Sequence, residues 1–280
     1  MKKIIALLLA LMLFCSVALA EDVPDTSRIA DESEMTDVED IVPEGMTPVT
    51  ADMLNDGVYE GVVVESSSAM FKIVGCDLTV KDGQMTALLH MKSDAYTYMY
   101  PGTAQDASQA PYEDLRMLQE LDDGYAFILP VDALDAGYTC AAFSARKQAW
   151  YPRTLLFRAD SLPLEAWKEL TTAGTLGLND GDYQVDVTLT GSGKATLASP
   201  AALHVADSQC TADILFSTKK IDYVIVDGQK FEPTATDDGA AFTVPVRAFG
   251  VGLSIIADST ALSPAVEVAY TMTFDAGSIR

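Results

Sequence analysis

Positive charge and histidine are scarce in this 280-residue chain. Its 18 Lys plus Arg face 41 Asp plus Glu, a formal charge of −23, and it has 2 histidines. A surface so acidic excludes nucleic acid as a partner, because phosphates reward cations. It equally excludes attachment to anionic lipid by charge. Catalytic signatures are missing too: there is no G-x-S-x-G, no H-E-x-x-H and no Gly-rich loop joining a strand to a helix. His90 and His204 stand one in each half of the chain at non-matching places, and no acid/base pair of carboxylates stands out. The chain is therefore read as a non-enzyme. There is no CxxC and no Cys/His cluster, which excludes a structural zinc site. Nor is any apolar run long enough for a transmembrane span.

What is present begins with an export signal. Lys2 and Lys3 precede the apolar run Ile4 to Phe14, and Ala18-Leu19-Ala20 supplies an A-x-A cleavage site, so residues 1–20 read as a signal peptide. Cleavage removes two lysines and Cys15, leaving a charge of −25 and three cysteines, Cys76, Cys140 and Cys210. An odd number cannot all pair. Their apolar, strand-like surroundings suit buried free thiols, although Cys76 and Cys140 share a repeat and could bridge. Residues 21–55 are expected to form a disordered acidic linker. Glu21 to Asp52 holds eleven acidic residues against one basic residue, Arg28, with Pro24, Pro43 and Pro48 among few large apolar groups.

Beyond this stretch the chain repeats itself. Asp56-Gly57-Val58-Tyr59 returns as Asp180-Gly181-Asp182-Tyr183, and Phe127-Ile128-Leu129-Pro130-Val131 as Phe242-Thr243-Val244-Pro245-Val246. Leu155-Leu156-Phe157 returns as Met272-Thr273-Phe274. The spacing drifts by a few positions, so landmarks persist while loops vary. Each copy carries about seven short β-branched or alternating runs, with Asp82-Gly83 and Asp227-Gly228 as hairpin turns. The expected fold is all-β: two tandem immunoglobulin-like antiparallel β-sandwich domains, over 56–160 and 179–280. A partly helical linker, 161–178, joins them, and a short helix is expected over Ala110 to Leu121. Alternation in Met85 to Met91 puts His90 on the sheet surface.

The second copy runs Ile221-Asp222-Tyr223-Val224-Ile225-Val226-Asp227-Gly228, then Phe242 to Val246, and closes on Tyr270-Thr271-Met272-Thr273-Phe274. The first has Ser66-Ser67-Ser68-Ala69-Met70-Phe71 ahead of its second long strand. Together these resemble the NEAT (near-iron-transporter) domain of Gram-positive bacteria, over both repeats. The resemblance implies a sandwich that grips haem between a short helical lip and the last hairpin, in an exported or cell-surface protein. It also implies a Y-x-x-x-Y pair on that hairpin, and here the chain departs: Gln148 and Pro152 hold those places in one copy, Ala265 and Ala269 in the other.

Arg146, Lys147, Arg153 and Arg158 crowd into thirteen positions around Trp150 and Tyr151. Cations flanking aromatics suit a planar anion or an acidic partner. The candidate ligand-binding residues are therefore Met70, Phe71, Arg146, Lys147, Trp150, Tyr151 and Arg153, all in the first repeat. Met70 and Tyr151 are also the alternative iron ligands. The expected ligand is haem or another iron-related group, with a host or envelope protein as partner and a monomeric state. The competing reading is a protein-interaction or structural module without a small ligand.

Overall fold

The computed structural model describes residues 24–280 other than 36–39, 192, 208, 237 and 262. The expected signal peptide and the first residues of the acidic stretch lie outside this range, as does Ser192 of the Gly191-Ser192-Gly193 turn.

The first repeat folds as ten strands: β1 (Gly57–Tyr59), β2 (Val64–Ser66), β3 (Ile73–Lys81), β4 (Gln84–Met91), β5 (Tyr96–Pro101), β6 (Arg116–Met117), β7 (Gln119–Leu121), β8 (Gly124–Val131), β9 (Gly137–Ser144) and β10 (Ala149–Phe157). They form two five-stranded sheets, β1-β3-β4-β8-β7 and β2-β10-β9-β5-β6. The second repeat supplies β11 (Gly181–Val185), β12 (Val187–Gly191), β13 (Ala201–Ala206), β14 (Gln209–Phe216), β15 (Ile221–Val226), β16 (Gln229–Phe231), β17 (Thr234–Ala235), β18 (Ala240–Pro245), β19 (Leu253–Ser259) and β20 (Val266–Phe274). Their order, β11-β13-β14-β18-β17 and β12-β20-β19-β15-β16, is that of the first sandwich strand for strand. The chain is thus all-β, two sandwiches in tandem.

Local chemistry explains the strand ends. Asp82-Gly83 between β3 and β4, and Asp227-Gly228 between β15 and β16, both hold φ near +50° and +75°. That pair of left-handed residues makes the tight turn whose twist matches the flanking strands. Within β4 alternation holds as expected: Met85, Ala87, Leu89 and Met91 are buried, while His90 sits half-buried on the outer face, 3.0 Å from Asp77 Oδ2. Each sandwich closes its own core, one around Phe127, Leu129 and Phe157, the other around Phe216, Phe242 and Phe274. Cys76, Cys140 and Cys210 are buried free thiols, and burial pushes the first two up to about 12.

Two expectations are corrected. Residues 110–121 do not form a helix. A four-residue helix, α1 (Ala104–Ala107), is followed by a turn of 3-10 helix at Tyr112–Asp114, and β6 and β7 take the remainder. Pro111 and the lack of a continuous apolar stripe leave nothing to hold a longer helix on the sheet. The linker carries a 3-10 turn at Leu164–Ala166 and α2 (Ala173–Leu176). Its Trp167 bridges to Leu54 below the first sandwich and its Thr171 to Phe249 of the second. Finally, the acidic stretch is ordered wherever it is described. Val49 pairs with Leu134, Leu54 is fully buried, and Ile29 lies parallel to Trp150. Its sparse apolar residues are enough because each meets a ready-made sheet edge or core margin.

The sandwiches meet through a buried polar cluster. Arg158, just past β10, is 4% exposed. It donates to Glu65 (2.5 Å), Asp160 (2.7 Å) and Thr271 of β20 (2.5 Å), and Thr271 in turn donates to Asp160 (2.9 Å). Beside it Asp135 accepts from the Ala159 amide at 2.9 Å and borders a cavity of about 260 Å³ between the repeats, with Thr188, Thr190, Thr271 and Thr273 opposite. Burial pushes the Asp135 carboxyl up to about 6. Between roughly pH 4 and pH 6 the folded protein keeps a proton that the unfolded chain has released, so this group's contribution declines as pH rises, by about 3 kcal/mol in all. The expected outcome for Asp135→Asn, whose amide oxygen can still accept from Ala159, is a urea midpoint that gains on the wild type steadily from pH 4 to pH 7. Parallel pH profiles of the two proteins would contradict it.

Candidate functional site

Strand β10 sets the geometry. Period-two alternation sends Tyr151, Arg153, Leu155 and Phe157 toward the interior of the sandwich and Trp150 to the other face. Leu155 and Phe157 enter the core, whereas Tyr151 and Arg153 lie nearer the open end, where the sheets part. There they border a cleft of about 610 Å³ with Met70, Tyr96, Arg146 and Lys147, within the range of small-ligand sites. Five of the seven residues singled out from the sequence therefore share one concave surface.

Arg153 is its unusual member. The residue is 6% exposed, yet among the described residues it forms no ion pair. Nη1 donates to the Pro152 carbonyl at 2.7 Å and Nη2 to the Tyr96 hydroxyl at 3.2 Å, while Nε has no partner. The guanidinium lies between two phenol rings, 5.9 Å from the centroid of Tyr96 and 5.3 Å from that of Tyr151. Ring faces compensate part of a buried cation's lost hydration. Two of its five N–H groups are taken by these hydrogen bonds, and the second N–H of each Nη leaves capacity for an anion. The rim carries exposed Arg146 together with Lys147, which pairs with Glu34 at 3.6 Å. Met70 is 63% exposed at the opposite lip. Burial, and then the charge of Glu34, raise the Tyr151 phenol above its ordinary value.

Phe71 and Trp150 are corrections. Phe71 is 2% exposed and packs edge-on against Tyr96, with ring centroids 5.1 Å apart. It supports the cleft from behind. Trp150 is fully buried on the outer face of its sheet against Phe143, and its indole donates to the Thr26 carbonyl at 2.6 Å. Neighbours in a strand point to opposite faces, so Trp150 and Tyr151 cannot form one flat surface. The lip, expected to be helical, is a turn: Ser67 exchanges hydrogen bonds with Thr154 of β10, and the Phe71 amide donates to the Ser68 carbonyl.

Tyr96 and Glu34 line the cleft without having stood out in the sequence. Strict alternation groups Tyr96 with Tyr98 and Tyr100, but the register of β5 shifts between Tyr96 and Tyr98. The bulge turns Tyr96 to the core and cleft, leaving Tyr98 and Tyr100 in the cluster around Trp150. Glu34 arrives from the acidic stretch. The matching place in the second sandwich is filled differently. Tyr270 takes the place of Arg153 and lies so close over Gly191 and Gly193 that a Cβ on either would come within 2.9 Å of it.

Comparison with known proteins gives little. No family model matches, and no curated protein does. Among solved structures, a point mutant of IsdX2-NEAT5 in complex with haem is similar at 15% identity, covering 35% of this chain and 97% of its own, with a TM-score of 0.31.

The two aromatic neighbours on β10 should separate cleanly on mutation. Trp150→Ala removes a fully buried indole and is expected to cost roughly 3–5 kcal/mol in chemical denaturation. Tyr151→Phe deletes only a hydroxyl with no core role and should fall within about 1 kcal/mol of the wild type. Similar small losses for both would place Trp150 at the surface, contrary to its packing.

Proposed function

We propose that the protein is an exported, non-enzymatic binding protein of the cell envelope, and that the first sandwich holds a planar, carboxylate-bearing ligand of the haem class. The observation that carries this reading is Arg153: a residue 6% exposed whose guanidinium has no ion pair among the described residues, in a protein that carries 41 acidic side chains. Burying such a cation unpaired is costly. With so many internal acids available, leaving it open toward a cleft favours an external anion as its partner. Tyr96, Tyr151 and the Met70 side chain offer apolar faces to a flat ring, and Arg146 and Lys147 offer a second point of charge at the rim. The N-terminal residues 1–20 support export.

In this arrangement carboxylates and ring faces do the holding. The tyrosine pair that the NEAT resemblance implies is absent. Haemin and metal-free protoporphyrin IX should therefore both bind the mature protein, with affinities within about tenfold of each other. Arg153→Gln should weaken both by tenfold or more, since one charged hydrogen bond is worth roughly 1.5–3 kcal/mol. Charge reversal at Arg146 and Lys147 should weaken them mainly at low salt, as exposed cations are screened. The measurement is absorbance titration followed by desalting. If neither porphyrin is retained, the ligand reading is wrong and the sandwich is better regarded as a protein-interaction module.

A further inference from the structure

The outer edge of β10 meets three different partners along its length. At its C-terminal end it pairs with β2, from Leu155↔Ser66 to Phe157↔Val64, and at Thr154 it bonds to Ser67 of the lip. Its N-terminal end, around Trp150, is covered by the acidic stretch. The Ala30 amide donates to the Trp150 carbonyl (3.0 Å) and the Trp150 amide to the Arg28 carbonyl (2.9 Å), a short parallel ladder. The contact is more than a crossing. Ala30 is buried in a small cluster with Ala149 and Tyr151, against which Met35 also packs. The Trp150 indole donates to the Thr26 carbonyl, Arg28 donates to the Lys147 carbonyl at 2.9 Å, and Glu34 ion-pairs with both Arg28 and Lys147. Residues 28–30 thus add one short parallel bridge to the edge, and the 3-10 turn Glu32–Glu34 that follows brings the Glu34 carboxylate to the cleft.

We infer that this edge is a docking site for an acidic peptide that lays a short parallel strand against Trp150 and then turns, filled in cis by residues 26–34, and that the same kind of peptide from a partner protein takes it in trans. The chemistry is specified by the resident. A small residue must sit over Ala149, where Ala30 is 4% exposed. A carboxylate must follow within reach of Lys147, and the backbone must run parallel to β10 to form the ladder. Main-chain bonds supply affinity while these two side-chain requirements supply selectivity. A segment with eleven acids and one base is a poor core-former. Its hold rests on few backbone bonds and on ion pairs whose side chains are 21% to 48% exposed, so it is exchangeable. Because Glu34 uses Lys147, the resident segment and an anion in the cleft compete. That coupling rests on the ligand reading above; the strand addition does not.

Arg28 is the lone tryptic site between Glu21 and Asp52, and its carbonyl is tied into the ladder, so trypsin reports detachment. In the full mature chain, cleavage after Arg28 should be slow. Ala30→Pro, which deletes the donor to Trp150, should speed it at least tenfold while circular dichroism and the thermal transition keep the sandwich signature. A fluorescein-labelled peptide of residues 24–35 should then bind the Ala30→Pro protein saturably by anisotropy, and a scrambled peptide should not. Equal cleavage of the two proteins, or equal binding of the two peptides, overturns the inference. Glu34→Gln is milder and cannot disturb the fold through proline. It should speed cleavage severalfold and raise protoporphyrin affinity by a similar factor; unchanged cleavage in this variant also counts against the docking. If protoporphyrin binds neither form, the cleft reading fails on its own, and the trypsin and peptide results still decide the edge.

Discussion

Everything distinctive about this molecule hangs on one strand. β10 is bonded to β9 along one side and, along the other, to β2, the lip and the acidic N-terminal stretch in turn. A strand with both edges filled cannot slip in register, because a shift of one residue would exchange its two faces. The inner face must therefore run Tyr151, Arg153, Leu155, Phe157, and the cation stays at the mouth of the core. The outer face gives Trp150 to a separate cluster with Phe143 and Leu115. Its continuation past Phe157 delivers Arg158 to the contact between the sandwiches.

Two buried arginines five residues apart meet opposite fates, and the contrast clarifies both. Arg158 finds Glu65, Asp160 and Thr271 and becomes a structural tie between the repeats. Arg153 finds a carbonyl, a phenol and two ring faces, none of them anionic. The same residue type in the same strand neighbourhood is neutralised in one case and left open in the other. That difference is a matter of tertiary surroundings, and it is why only one of them suggests a ligand.

Duplication has preserved the frame and let the site diverge. Strand order is identical in the two sandwiches, yet the position of Arg153 holds Tyr270, folded over glycines that would admit no side chain. In the first copy the same space borders an open cleft. The polar face of the second copy took another course: His204 lies on its outer sheet between Asp182 and Asp213, at 2.7 and 3.1 Å. These carboxylates raise the imidazole above its ordinary value, an exposed arrangement with no counterpart cluster of the same residues in the first sandwich.

The sequence by itself determined the fold class and the doubling. β-branched alternation and Asp-Gly turns are local signals, enforced by backbone sterics at each position, and they survive in both copies. It also narrowed the site, since cations are rare enough here that Arg146, Lys147 and Arg153 stood out. What only the tertiary structure decided was orientation. The facing of Trp150 away from Tyr151 follows from β10's pairing, and the entry of Tyr96 into the cleft from a bulge that no alternating pattern announces. The order of the acidic stretch is of the same kind. Composition measures how little apolar surface a segment carries, whereas ordering depends on whether a distant edge, here that of Trp150 and Leu134, is waiting to receive it.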